Sequence, residues 1–243
     1  MIHPTAIINN AAKIANNVII GAFSVIGPNV EIGENTKIHS HVNITGDTTI
    51  GKKNEIFPFA SIGTPPQDLK YKGEKNSIVI GDNNKFREYT NVNPGTEQGG
   101  GITKIGNNNL FMVYCHVAYD CVIHNKVVLA NNVQVGGHVT IENNAIVGGS
   151  CAIHQFSRVG ENAMVGGMTG VLSDVIPFGL SLGNRNNLTG LNLIGLRRAG
   201  ISNNDIKIMQ KAYEMIFQNS EFRKNIDNLG SELKKNNYVK KII

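Results

Sequence analysis

The chain has 243 residues, a formal net charge of +5 and no tryptophan. No stretch reaches the roughly 18 consecutive apolar residues of a membrane-spanning helix, and the start MIHPTAIINN has neither the basic nor the apolar region of a signal peptide, so a cytoplasmic protein is expected. Its three cysteines are an odd set, and Cys115 and Cys151 fall on coils too far apart for a disulfide, so small buried thiols are expected.

From residue 8 the chain repeats every six positions. Ile8, Ile14, Ile20, Ile26, Ile32, Ile38, Ile44, Ile50, Ile56 and Ile62 form an unbroken isoleucine ladder. It resumes at Ile80, Phe86 and Val92, and again at Ile105, running through Phe111, Val117, Ile123, Leu129, Val135, Ile141, Val147, Ile153, Val159, Val165 and Val171. Neither the helix period nor the simple strand period explains this spacing. The residue two before each rung is usually small, as in Ala6, Ser24, Thr36, Cys115, Cys121 and Cys151, and the residue after it is often glycine. Each hexad therefore reads as a short strand with two inward residues and a corner, and three hexads close one coil of a triangular solenoid of roughly eight coils. Residues one coil apart share a column, with neighbouring coils about 4.8 Å apart.

Two segments interrupt the ladder, Thr64–Ser77 (TPPQDLKYKGEKNS) and Asn93–Thr103 (NPGTEQGGGIT). A solenoid can eject such loops without disturbing its core, and they often lie on the binding face. The triple glycine at 99–101 has no flanking strand, helix and lysine to make it a P-loop. The ladder fades near Asp174–Pro177, so the solenoid is expected over 1–185 and a helical cap over 186–243. Ile206, Met209, Tyr213, Ile216 and Phe217 lie on one helical face capped by Ser202 or Asn203, and further helices are expected over 188–199 and 220–241. Residues 195–243 hold ten Lys/Arg against five Asp/Glu, so all the net charge sits there. An acidic or phosphate-bearing partner fits that surface, and so does plain solvation of a helical cap; nothing points to nucleic acid.

The columns bring chemistry to one edge. Tyr119, Gly137 and Gln155 share a column, Asp120, His138 and Phe156 the next, and Gly136 and His154 a third, while His116 points outward just before that corner. A histidine near an aspartate can serve as a general base, and a free Gly137 N–H can hold an oxyanion. The same residues also fit a solvated polar edge, and a histidine metal site is a weaker option, since His116, His138 and His154 fall in different columns.

The ladder, QDLKY at 67–71, QGGG at 98–101, ANN and GGH within 130–138, HQF at 154–156, MVGG at 164–167, GN at 183–184 and GLRR at 195–198 occur in an order that resembles the UDP-N-acetylglucosamine O-acyltransferases, which open lipid A biosynthesis. The resemblance runs from Ile2 to at least Tyr213. It implies a left-handed parallel β-helix with a C-terminal helical cap, a homotrimer, and transfer of a 3-hydroxyacyl chain from acyl carrier protein to the 3-OH of the UDP-sugar. No cofactor is implied beyond the phosphopantetheine that carries the acyl group, and no metal. It also implies sugar and phosphate contacts from Asp68, Lys70, His138, His154 and Gln155, nucleotide contacts from Asn192 and Arg198 of an adjacent cap, an oxyanion donor at Gly137, His116 lining the cleft, and acyl-chain measurement at Gly167.

One departure stands out. Where the family carries His-x-x-His-Asp-Cys, this chain reads His116-Val117-Ala118-Tyr119-Asp120-Cys121. Tyrosine titrates near pH 10 and histidine near 6.5, so Tyr119 is a poor proton acceptor at neutral pH. Impaired catalysis beside a retained Asp120 is expected. The alternatives are a non-catalytic ligand-binding homologue and an N-acyltransferase acting on a 3-amino sugar nucleotide. Smaller departures are Ile194 and Ala199 near the nucleotide, Asn93-Pro94 in place of a His-Arg pair, and an end earlier than usual for the family.

Overall fold

The computed structural model describes residues 1–243. Strands mostly two residues long stack into three sheets of nine, eight and ten strands, parallel throughout except for the last strand of the third. In the order the chain meets them, the first sheet runs from Ile7–Ile8 to Gly170–Val171, the second from Lys13–Ile14 to Arg158–Val159, and the third from Ile19–Ile20 to Asn187–Leu191. Together they form the left-handed parallel β-helix.

The six-residue ladder is the core. Every rung from Ile20 to Val171 is buried, and only Ile8 and Ile14, on the open first coil, are half-buried. Inward and outward residues alternate because successive side chains on a strand point to opposite faces. Burying a side chain of this size stabilises by about 1.5–3 kcal/mol, and each rung packs on the next because the coils are in register: Val117 pairs with Val135, and Val135 with Ile153.

Corners decide what each edge displays. The corner from second to third sheet places Asn17, Asn35, Lys53, Asn83, Asn108, Lys126, Asn144 and Asn162 in the left-handed region, with φ of 55–60°. The corner from third to first sheet holds Phe23, His41, Phe59, Tyr89 and Tyr114 in the same conformation, and their rings stack in sequence with centroids 4.7–5.2 Å apart. Both ejected loops leave from the remaining corner, between first and second sheets.

The cap differs from expectation at two places. Asn187–Leu191 is a strand, antiparallel to Gly179–Leu182, where a helix over 188–199 is expected; the helix α1 covers only Leu193–Arg198. The free edge of the third sheet offers backbone partners that outweigh helix propensity, and the Asn192 side chain then caps α1 by accepting from the Gly195 N–H. Beyond α2 (Asn203–Ile216), capped by Ser202, the single helix expected over 220–241 is three short ones, α3 (Phe222–Asp227), α4 (Ser231–Lys235) and α5 (Val239–Ile242). Gly230 and the Asn236-Asn237 pair sit at the breaks. Ile206, Met209, Ala212 and Ile216 of α2 pack with Phe178, Leu196 and Val239 into a second core.

Candidate active site

The corner between first and second sheets carries the expected columns. The His138 N–H donates to the Tyr119 carbonyl and the Phe156 N–H to that of Gly137, so residues 119, 137 and 155, and 120, 138 and 156, do stack. Both loops fold back onto this corner. Gly95 and Gly99 approach the Asp120 carboxylate so closely that a Cβ at either would collide with it.

Asp120 is the anchor. Its side chain is fully buried, the Thr96 N–H donates to both carboxylate oxygens at 3.0 Å, and the Thr96 hydroxyl donates to Oδ2 at 2.6 Å. Thr96 has no place in the repeat, and no sequence signal singles it out. Beside it, Tyr119 is 8% exposed and its ring lies directly over Gly137, where only a glycine leaves room. Burial first, then the charges of Asp68 and Asp120, push the Tyr119 hydroxyl above its ordinary range, against a smaller opposite pull from the Gln155 amide, which donates to it at 3.0 Å. A phenol so placed holds its proton at neutral pH.

The three histidines have different partners. His116 Nδ1 lies 2.8 Å from Asn91 Oδ1, and burial lowers its pKa. With that oxygen accepting, Nδ1 carries the proton and Nε2 is left as the acceptor. His138 Nδ1 is 3.8 Å from Asp120 Oδ2, and its ring stacks on Phe156 with centroids 4.4 Å apart. His154 is exposed and touches only the neighbouring Gln155 carbonyl. The Gly137 N–H, which a ladder bond does not use, is free to donate. The thiols are not nucleophiles: burial pushes Cys115 up to about 11 and Cys121 up to about 12.

Asp68 and Lys70 line a polar cavity of about 740 Å³ between the two loops, with Thr96 and Gln98. Asn192 and Arg198 are elsewhere. They border a second cavity of about 1080 Å³ on the outer face of the third sheet, floored by Val128, Ile146, Met164 and Leu180. In a triangular prism that face is opposite the Tyr119 corner, so one subunit does not bring these residues to the rest. The Asn192 side chain is also engaged locally, capping α1 and donating to the Asn162 carbonyl. Gly167 is exposed at the corner from third to first sheet, where a Cβ would lie 3.3 Å from the Gly149 carbonyl oxygen. Asn91 and Phe156 join the site through geometry; periodicity alone gives neither a chemical role.

Two family models match the chain: the second domain of UDP N-acetylglucosamine O-acyltransferase over residues 174–243, and the bacterial transferase hexapeptide (six repeats) over residues 11–46. The acyl-[acyl-carrier-protein]–UDP-N-acetylglucosamine O-acyltransferase of Aliarcobacter butzleri is 50% identical, covering 99% of this chain and 93% of that protein. Among solved structures, LpxA of Acinetobacter baumannii superposes with a TM-score of 0.97 at 44% identity, over 100% of this chain and 95% of that one. The UDP-N-acetylglucosamine acyltransferase of Campylobacter jejuni gives 0.91 at 37% identity, over 100% and 94%.

Proposed function

The chain belongs to the UDP-N-acetylglucosamine O-acyltransferase family, and from that premise we propose that it moves a 3-hydroxyacyl group from acyl carrier protein to the 3-OH of UDP-N-acetylglucosamine, slowly. The observation that carries the qualification is Tyr119, a buried phenol held by Gln155 at the corner where the family's general base belongs. The acceptor hydroxyl must lose a proton as it attacks the thioester carbonyl, and loss of a general base costs about 100- to 10,000-fold. The remaining machinery supports acyl transfer. The Gly137 N–H makes no ladder bond and would serve a developing oxyanion. Asp68 and Lys70, which line the cavity between the loops, would contact the sugar nucleotide, and the acyl group would arrive on phosphopantetheine with no further cofactor.

The acting unit in this reading is a homotrimer. Asn192 and Arg198 lie across the prism from Tyr119, so a neighbour has to supply them. Three prisms meeting at the aromatic corner leave wedge-shaped clefts between the third sheet of one copy and the first sheet of the next. The apolar strip of Leu110, Val128, Ile146 and Met164 then faces His116, and Gly167 lies at the inner end of the cleft, where the acyl chain would run.

The test is turnover by the parent and by Tyr119→His, with UDP-N-acetylglucosamine and with its 3-amino analogue as acceptors. The variant should transfer to the 3-OH at least about 100-fold faster. A variant that binds UDP-N-acetylglucosamine yet stays as slow as the parent, or a parent that acylates only the amine, would overturn the reading.

A further inference from the structure

With Tyr119 unable to accept a proton, the slow reaction needs another base, and the three histidines of the edge are unequal candidates. His154 is exposed and contacts only a main-chain carbonyl. His116 is oriented by Asn91, a neutral amide that gives no electrostatic support to an imidazolium. Only His138 stands beside a carboxylate, and that carboxylate is buried and fixed by two donors from Thr96.

We infer that His138, oriented by Asp120, is the general base of acyl transfer in this chain. The inference rests on the acyltransferase reading above. A base of this kind needs one ring nitrogen turned to a carboxylate and the other turned to the substrate. His138 meets the first requirement with Nδ1, 3.8 Å from Asp120 Oδ2, and its Nε2 has no protein partner. The distance is longer than a hydrogen bond, as such contacts often are before substrate binds. The ring is held flat against Phe156, with an interplanar angle of 4°, and the Tyr119 ring meets its edge at 5.4 Å between centroids. A phenol reaches further than an imidazole, so Tyr119 fills its own column as far as Gln155 and leaves the neighbouring ring as the one beside a carboxylate.

The step balances within the proposed transfer. The acceptor oxygen bonds to the thioester carbonyl carbon, the C–S bond breaks, and the hydroxyl proton passes through His138 Nε2 to the departing thiolate, which leaves as a free thiol.

The test is chemical rescue. His138 has φ of 62°, which glycine adopts freely, so His138→Gly removes the ring without straining the corner. Single-turnover transfer to UDP-N-acetylglucosamine should fall by about 100-fold or more and recover in part, saturably, when imidazole is added. His138→Gln fills the space and should be equally slow, without rescue. Asp120→Asn should lower kcat with little change in KM and should not respond to imidazole. Three results would overturn the assignment: His138→Gly turning over within a few-fold of the parent, rescue by imidazole in His116→Gly in its place, or a parent that binds UDP-N-acetylglucosamine by calorimetry without transfer above the enzyme-free rate. A parent that does not bind the sugar nucleotide at all would instead bring down the acceptor assignment and the base with it.

Discussion

Two corners of the prism share one backbone and carry opposite chemistry. Between second and third sheets the left-handed positions are asparagine or lysine along nearly the whole solenoid; between third and first sheets they begin as Phe23, His41, Phe59, Tyr89 and Tyr114. Asparagine tolerates this conformation because its short amide bonds locally, whereas a bulky side chain there carries a cost on the order of 1 kcal/mol or more. The asparagine corner is also tied together from inside. Asn54, Asn84 and Asn109 are buried, and each side-chain oxygen accepts a backbone N–H from the next coil. Outside, the ladder runs the other way: the side-chain oxygens of Asn107, Asn125 and Asn143 accept from the backbone N–H groups of Asp82, Asn107 and Asn125, one coil earlier. That edge is complete within one chain. The aromatic edge is not: Phe23, Phe59, Tyr89 and Tyr114 are 45–58% exposed, and Ile7, Ile19 and Val25 flank them in the open. The aromatic edge accepts strain to display stacked rings in the open, and the proposed trimer would cover it.

The strongest way to break this contrast is to give the aromatic corner the other corner's residue. Phe59→Asn with Tyr89→Asn should keep the fold, since asparagine is at home at that φ. Association should weaken by at least about 100-fold, each buried interface aromatic contributing about 2 kcal/mol. In the proposed assembly, light scattering at micromolar concentration should report three chains for the parent and one for the double variant; an unchanged trimer would mean the ladder is mere surface. Next in size is Asn84→Ala, which strands the Gly106 carbonyl and the Asn109 N–H inside the core and leaves Asn54 Oδ1 with the backbone N–H of residue 84 alone. It should lower stability by about 2–3 kcal/mol and Tm by roughly 5–10 °C, with the assembled mass unchanged. The smallest effect is the reverse graft. Asn108→Tyr places a ring at the exposed asparagine corner and should lower Tm by about 2–4 °C, the response to a strain near 1 kcal/mol. A rise in Tm would show that ring stacking, not a partner, compensates the aromatic corner.

The cap shows where local reading stops. A helix over 188–199 is a fair inference from composition, but the open edge of the third sheet recruits residues 187–191 as a strand, and that edge exists only once the solenoid has formed. α2 is legible because its face and its Ser202 cap lie within one stretch of chain.

The sequence by itself determined the coil, the inward ladder and the columns that bring Tyr119, Asp120, His138 and Gln155 to one edge. It could do so because inward packing repeats every six residues and each strand's partner is fixed one coil away. Only the tertiary structure decided that Thr96 would grip Asp120, that Gln155 would hold the Tyr119 hydroxyl, and that Asn192 and Arg198 would end on the far face. The Thr96 contact comes from an ejected loop and the Asn192 and Arg198 positions from the cap, where no period links position in the chain to position in space; for Gln155 and Tyr119 the period gives the shared column but not the bond between the side chains. The loop and cap positions depend on how those segments close back on a finished prism.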